Sequence, residues 1–198
     1  MSGALRRAAS PVASSLVFAL LARTAARGTV GTGEERAFRA VNQLSPALRT
    51  PAWLVMQAGS LPAVGVAAAA ARSRSRSTAL ALAVDGTAVW ALCKLAKRLV
   101  GRGRPADHLD DVVIYGTPQR GRGFPSGHAA VATTLMAVGS RILPKPLARV
   151  ACVIPALVCA ARQYVGAHLP LDVAGGAALG LAAGALADLA LTSAHLRS

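Results

Sequence analysis

Three short stretches of the chain hold most of the residues that can do chemistry. They are KRLVGRGRP, from Lys97 to Pro105; PSGH, from Pro125 to His128; and RQYVGAHLPLD, from Arg162 to Asp172. Lys97, Arg104 and Arg162 can place three positive charges around one point. That suits a doubly charged anion, and the arginine fork matches phosphoryl oxygens in pairs. Ser126 and Gly127 open an apolar run. At the start of a helix, unpaired backbone N–H groups and the positive end of the dipole favour phosphate, and glycine lets the backbone approach closely. His168 and Asp172 stand one helical turn apart with Pro170, a good first-turn residue, between them. Asp172 can then accept from one imidazole nitrogen and orient the other as a nucleophile. His128 is left as a second imidazole, placed to give a proton to a leaving oxygen. Three bases, two histidines and one aspartate are the parts of a phosphoryl transfer through a phosphohistidine, with no metal or cofactor.

Each part alone has a plainer reading. A histidine at a helix start is more often a cap or interface residue than a catalyst. The run from Lys97 to Arg104 also fits a lipid-headgroup patch. His128, His168 and Asp172 make a conceivable metal site, which the surrounding cations oppose. The chemical reading gains weight only if the three stretches meet on one face.

The elements that must bring them there read as membrane helices. Ala52 to Ala71 carries no charge and is about 20 residues long, the length that spans a bilayer core. A second helix runs from Ser77 to Cys93, interrupted by Asp85. A third runs from Gly127 to Ser140, a fourth from Val150 towards Ala161, and a fifth from Leu169 to about Thr192. The N-terminal LRRAASPVASSLVFALLARTAARG is either a further spanning helix or a signal peptide. The uncleaved helix is favoured because Arg23 sits awkwardly in a cleavage region. Gly28 to Thr50 reads as a turn and a short amphipathic helix along the surface. The expectation is therefore an all-α, multi-pass bundle of six transmembrane helices with the site at one membrane face. Residues 1–50 form an N-terminal helix plus interfacial segment, and residues 51–198 form the core. An up-and-down path puts all three chemical stretches on the same side. Gly176, Gly180 and Gly184 form a small-residue stripe for close helix approach, within one chain or between two, which leaves the oligomeric state open. Asp85 reads as a residue paired inside the bundle, with a proton relay as the alternative.

Composition agrees. The 198 residues are 54% apolar and 15% charged, and mean hydropathy is +0.47. Against 22 Lys and Arg stand 8 Asp and Glu, for a net charge of +14. In a soluble protein that balance points to nucleic acid, but only 4% of the chain is aromatic and the bases flank long apolar runs, so nucleic acid is excluded as a partner and membrane lipids take its place. Cys93, Cys152 and Cys159 lie in apolar segments without metal-ligand spacing and read as small core residues. The short loops with Arg72, Arg74 and Arg76, and with Arg141, Lys145 and Arg149, belong on the cytoplasmic side with Arg6, Arg7 and Arg197. The opposite side nevertheless carries more bases, among them Lys94, Arg98, Arg102, Arg120 and Arg122. That conflict resolves if many of them serve a ligand.

The pattern Lys97…Arg104-Pro105, then Pro125-Ser126-Gly127-His128, then Arg162…His168…Asp172 resembles the type 2 phosphatidic acid phosphatase superfamily, which also includes vanadium haloperoxidases and bacterial acid phosphatases. The resemblance covers about residues 50 to 190, helix order included. It implies that His168 is the nucleophile, Asp172 its partner and His128 the acid, while Lys97, Arg104, Ser126, Gly127 and Arg162 hold the phosphoryl group. The third motif often begins Ser-Arg in the family; here it is Ala161-Arg162, which removes one hydroxyl and no catalytic group. The compact size resembles the bacterial integral-membrane lipid phosphate phosphatases. It implies a plasma-membrane protein with its site facing outside and a lipid phosphate substrate: a polyprenyl diphosphate or phosphate, phosphatidate or phosphatidylglycerophosphate. Headgroup choice falls to residues 107–122 and the segment before Thr50, where His108, Asp110 and Asp111 read as solvated. The alternatives are an idle membrane scaffold or lipid-binding protein, and a vanadate-dependent haloperoxidase.

Overall fold

The computed structural model describes residues 3–195, with the side chains of residues 3–9 and 194–195 outside the description. The expected cytoplasmic Arg6, Arg7 and Arg197 side chains therefore lie outside the described residues. Every regular element among the described residues is helical: α1 (Gly3–Ala25), α2 (Thr32–Asn42), α3 (Arg49–Gln57), α4 (Leu61–Ala71), α5 (Arg76–Val100), α6 (Gly127–Gly139), α7 (Lys145–Ala151), α8 (Ile154–Tyr164) and α9 (Pro170–His195). Caps set the boundaries. Ser75 Oγ accepts from Thr78 N at 3.1 Å to start α5, and Gly101, at φ 73°, closes it with its N–H on the Lys97 carbonyl.

Helix α6 is the centre of the bundle. Ala129 to Thr134 are all buried, with α5, α8 and α9 around it. The glycine stripe of α9 makes that packing possible. A Cβ at Gly176 would come 2.3 Å from the Ser126 carbonyl oxygen, one at Gly180 2.4 Å from the Ala130 oxygen, and one at Gly184 2.5 Å from Ala137 Cβ. The stripe thus packs within the chain, and Thr134 Oγ1 crosses the seam to donate to the Gly180 carbonyl at 3.2 Å. On its other side α9 is covered by α1, where Phe18 stacks on Phe124.

The run from Ala52 to Ala71, expected as one straight helix, is instead α3 and α4, bent by 56° at a short break. Ser60 caps the second helix and Pro62 lies in its first turn, so the sequence carries a helix start inside the apolar run. The break is filled from outside: a Cβ at Gly59 would sit 2.3 Å from the His128 carbonyl oxygen. Interrupted backbone at this depth is tolerated where protein surrounds it.

By length and composition three helices suffice to cross a membrane: Arg76–Asp107, Lys145–Tyr164 and Pro170–Ser193. The bent α3–α4 pair makes a fourth. The outer surface of these helices carries Leu54, Val66, Leu80, Leu99, Val150, Leu157 and Leu186, all exposed, as a lipid-facing surface requires. Of the cysteines, Cys93 is in the core, Cys159 is partly buried and Cys152 is exposed, which corrects its expected core position. Asp85 is half-buried on a groove between α5 and α9, and among the described residues it forms no ion pair. On its own helix the nearest bases, Arg76 and Lys94, lie more than two turns away.

Adding a methyl group at the seam tests its tightness. Gly180→Ala should destabilise the protein by about 1–3 kcal/mol, the usual range for overpacking, read as a lower thermal midpoint in detergent. Gly65→Ala on α4, where a Cβ meets nothing within 4 Å, should leave the midpoint unchanged or raise it slightly.

Candidate active site

The three chemical stretches meet at one end of the bundle. Lys97, Arg104, Gly127, His128, Arg162 and His168 line a single cavity of about 140 Å³, closed at the sides by Gly59, Leu61, Trp90 and Gln119. Pockets for drug-sized ligands begin at roughly 300 Å³, so this one admits a small anion and leaves the rest of a larger ligand outside. Ser126 and Asp172, fully buried, lie behind the cavity wall.

Local chain physics puts the residues there. Helix α8 ends in a left-handed turn at Gly166, φ 72°, and the Arg162 carbonyl accepts from both Ala167 N at 3.1 Å and His168 N at 3.2 Å. The turn ties the end of one helix to the residue that precedes the next, which fixes the Arg162–His168 spacing. Pro170 then starts α9, and Asp172 reaches back to accept from Leu169 N at 2.9 Å, half of a capping box. Ser126 caps α6, its Oγ facing Ala129 N at 3.5 Å, while its own N–H donates to the Asp172 carbonyl at 2.9 Å. Helices α6 and α9 thus start against each other, with the N-terminus of α6 opening on the cavity.

Charge in the cavity is one-sided. Lys97 Nζ donates to the carbonyls of Arg122 (3.0 Å) and Gly123 (2.7 Å), and Arg104 Nη1 to that of Ala167 (2.7 Å). Arg162 is only 5% exposed; Nη1 meets Met56 Sδ at 3.3 Å and Nε has no partner. Among the described residues none of these three side chains pairs with a carboxylate. One buried and two partly buried cations without counter-ions are costly, and an anion in the cavity is what would satisfy them. No group of three His, Cys, Asp or Glu that would hold a metal comes together among the described residues.

The imidazole–carboxylate pair differs from the expected one in a detail. His168 Nδ1 stands 3.6 Å from Asp172 Oδ2, so the hydrogen bond read from their spacing is not closed, and Nδ1 has no other partner. A shift of about 0.5 Å brings it into range, and catalytic contacts commonly tighten only once ligand is bound. His168, 3% exposed, is held well below the ordinary imidazole pKa of 6.5 by burial and then by Arg162, Lys97, Arg104 and His128, so it stays neutral at neutral pH.

Four features were not read from the sequence. Arg102, counted there only as a base on the site side, is 2% exposed and bonds Asp172 Oδ1 through Nη1 at 3.3 Å. Glu34 on α2 grips the same guanidinium, with Nη1–Oε1 at 3.0 Å and Nη2–Oε2 at 2.7 Å. Asn42, one further turn beyond buried Phe38 on that face, donates to the carbonyls of Val113 (2.8 Å) and Tyr164 (2.9 Å) and accepts from Val113 N at 3.0 Å. Gly123 lies against the aspartate, where a Cβ would come 2.8 Å from Asp172 Oδ2 and 2.5 Å from the Gly103 oxygen. Helix α2 is amphipathic as expected, but its buried face closes the back of the site instead of resting on lipid. In the connecting loop, Asp110 and Asp111 are exposed, whereas His108 is half-buried with an unpartnered Nε2, so its reading as solvated is corrected.

Residues 76–192 match the PAP2 superfamily model. The chain is 40% identical over 98 residues to the decaprenylphosphoryl-5-phosphoribose phosphatase of Mycobacterium tuberculosis, covering 50% of this chain and 52% of that one. It is 38% identical over 95 residues to the lipid A 1-phosphatase of Rhizobium etli, covering 45% and 40%. The chain thus spans about half the length, or less, of these curated relatives. Its fold is similar to the crystal structure of a transmembrane PAP2 type phosphatidylglycerolphosphate phosphatase from Bacillus subtilis, with a TM-score of 0.76, 24% identity, and coverage of 93% of this chain and 96% of that one.

The unpaired cations make a direct prediction. Inorganic phosphate should bind the detergent-solubilised protein and raise its thermal midpoint. Arg162→Gln should weaken that binding by about 10- to 100-fold, the worth of one charged hydrogen bond, measured by calorimetric titration.

Proposed function

The chain belongs to the PAP2 superfamily, and from that membership we propose that it is an integral-membrane lipid phosphate phosphatase working through a phosphohistidine. The observation that carries the proposal is the cavity in which Lys97, Arg104 and Arg162 surround His168 with no carboxylate of their own. Such a site is built for an anion beside a neutral nucleophile.

In the proposed reaction His168 Nε2 attacks phosphorus while Nδ1–H donates to Asp172. The bond from phosphorus to the lipid-borne oxygen breaks as His128 delivers a proton to that oxygen. Lys97, Arg104, Arg162 and the Gly127 and His128 N–H groups carry the charge that builds on the equatorial oxygens, with Ser126 holding the start of α6 in place. In the second half His128, now neutral, takes a proton from water, the water oxygen bonds to phosphorus, and the N–P bond breaks. Inorganic phosphate and neutral His168 are the products. Nothing in this cycle calls for a metal.

Membrane location follows from the apolar exposed surface and the spanning helices. The names of the relatives, one acting on a decaprenyl-linked phosphoribose and the other on lipid A, support a bacterial lipid carrying a terminal phosphate. Polyprenyl phosphate or diphosphate, phosphatidate and phosphatidylglycerophosphate remain in the same class. The proposed orientation places the cavity outside the cell. Setting aside Lys97, Arg104 and Arg162 as ligand-facing and Arg102 as internally paired evens the count of bases on the two sides, which removes the objection to that orientation.

Phosphate release from a panel of these lipids, in detergent with EDTA, tests the reading. His168→Ala should lose about 10⁶-fold in kcat, as removal of a nucleophile does elsewhere, and His128→Ala about 10²–10⁴-fold. Equal activity in His168→Ala overturns the nucleophile assignment. A nucleophile must be deprotonated, and the His168 proton affinity is lowered. The acid limb of kcat/KM that reports His168 should therefore fall below pH 6.5, not at it.

A further inference from the structure

Behind the cavity a line of charges runs away from the proposed nucleophile: His168, Asp172, Arg102, Glu34. Side-chain exposure along it is 4%, 0%, 0% and 16%. The members come from three parts of the chain: the start of α9, the loop after α5, and the first turn of α2. Glu34 also accepts from Leu171 N at 2.9 Å through Oε1, so it caps the first turn of α9 while it grips Arg102. Resting on the phosphatase reading above, we propose that Arg102 and Glu34 are positioning residues, which hold the Asp172 carboxylate in the rotamer that faces His168 Nδ1.

Stability does not account for the arrangement. A buried ion pair replaced by apolar groups of similar volume is commonly neutral or more stable. What three charges in a row supply is orientation. The Arg102 fork is planar, and Glu34 takes its shorter contacts, 2.7 and 3.0 Å, leaving the 3.3 Å contact to Asp172. Asp172 Oδ1 is thereby held lightly, while Oδ2 stays turned to Leu169 N and His168. Without Glu34 the guanidinium is free to close on Asp172 as its only carboxylate and draw it from the imidazole. Without Arg102 the carboxylate loses the contact that fixes its far oxygen. Gly123, which leaves no room for a side chain against Oδ2, closes the third direction. Glu34 lies outside residues 76–192, the part that matches the family model. The segment before the core thus supplies a part of the site's geometry.

The two residues carry opposite charges, which gives them opposite signatures. His168 is faced by Lys97 from the end of α5, by Arg104 from the loop that follows, by Arg162 from α8, by His128 from α6 and by Asp172 from α9; Arg102 and Glu34 stand behind Asp172. Removing Arg102 leaves Asp172 more negative in its effect, favours protonated His168 and moves the acid limb to higher pH. Removing the charge of Glu34 does the reverse.

The experiment compares Arg102→Gln, Arg102→Lys, Glu34→Gln and His168→Ala with the full-length parent in detergent, against the lipid phosphate it hydrolyses fastest. Expected for Arg102→Gln and Glu34→Gln are losses in kcat of about 10- to 100-fold, the range found when the residue behind a working ligand is removed, with KM unchanged and unaltered binding of inorganic phosphate. The acid limb should move up for Arg102→Gln and down for Glu34→Gln, and Arg102→Lys should recover part of the kcat. Parental kcat and pH profile in both variants, with His168→Ala inactive, overturns the positioning role and leaves the phosphatase reading standing. If His168→Ala is as active as the parent, the nucleophile assignment has failed and the positioning role with it; if the parent releases phosphate from no lipid of the panel, the phosphatase reading itself has failed. Should Arg102→Gln not fold, Glu34→Gln decides alone: a downward-shifted limb supports the proposal, and an unshifted one overturns it.

Discussion

A carboxylate with no solvent contact sets the terms for this face of the bundle. In the proposed mechanism Asp172 must stay charged beside the His168 imidazole, yet it sits where a charge is expensive. Its survival there depends on a backbone amide in front, from Leu169, and a guanidinium behind, from Arg102. Everything near it is arranged around those two contacts. The Ser126 N–H takes the Asp172 carbonyl, Gly123 gives up its side chain, and Leu171 shares its N–H with Glu34. One residue thereby serves as helix cap, partner of the proposed nucleophile and anchor for a neighbouring loop.

The glycine seam between α6 and α9 carries that local geometry into the bilayer. Because the helices touch backbone to backbone, their N-termini cannot slide against each other without a clash at Ser126 or Ala130. His128 on one helix and the His168–Asp172 corner on the other are therefore held at a common height. The interruption between α3 and α4 lies at that height too, where Gly59 receives the His128 backbone. A straight α3–α4 helix would close that wall with side chains.

Most of the chemical vocabulary was legible in the sequence, because it resides in residue types that physics rarely places together in an apolar chain. Lys97, Arg104, His128, Arg162 and His168 read as one anion site from type and spacing, and the structure lines one cavity with them. The start of α9 was legible from Pro170 and Asp172 for the same reason: its signals are local. What was not legible depends on contacts between segments far apart in the chain. Glu34 looked like one acidic residue on an amphipathic helix, since nothing in TGEERAFRAVN says what its inner face will meet. Arg102 was lost among four neighbouring bases, Lys94, Lys97, Arg98 and Arg104. Asn42 had no local motif to mark it. The α3–α4 break did leave a local trace, Gly59-Ser60 followed by Pro62, which the uninterrupted hydropathy of the run concealed.

The small cavity and its rim imply a division of labour in recognition. The interior has room for little beyond a phosphoryl-sized anion and offers it three cations, so under the proposed function it does not by itself tell one lipid phosphate from another. Discrimination must act on what remains outside. The wall there is Leu61 on α4 and Trp90 on α5, with Lys94 Nζ 5.0 Å from the centre of the indole ring, and Gln119 from the loop that follows Arg104. An apolar wall beside a cation fits the junction of a headgroup and its chain, where charge gives way to hydrocarbon. The loop of residues 108–122 is tied to α2 by Asn42 at Val113 and to the cavity lining by Arg104 Nε at the Arg120 carbonyl, 3.4 Å away. A change in that loop therefore reaches the rim and the phosphoryl site together. Family members sharing the interior can differ in substrate through such a rim without any change in the groups that break the bond.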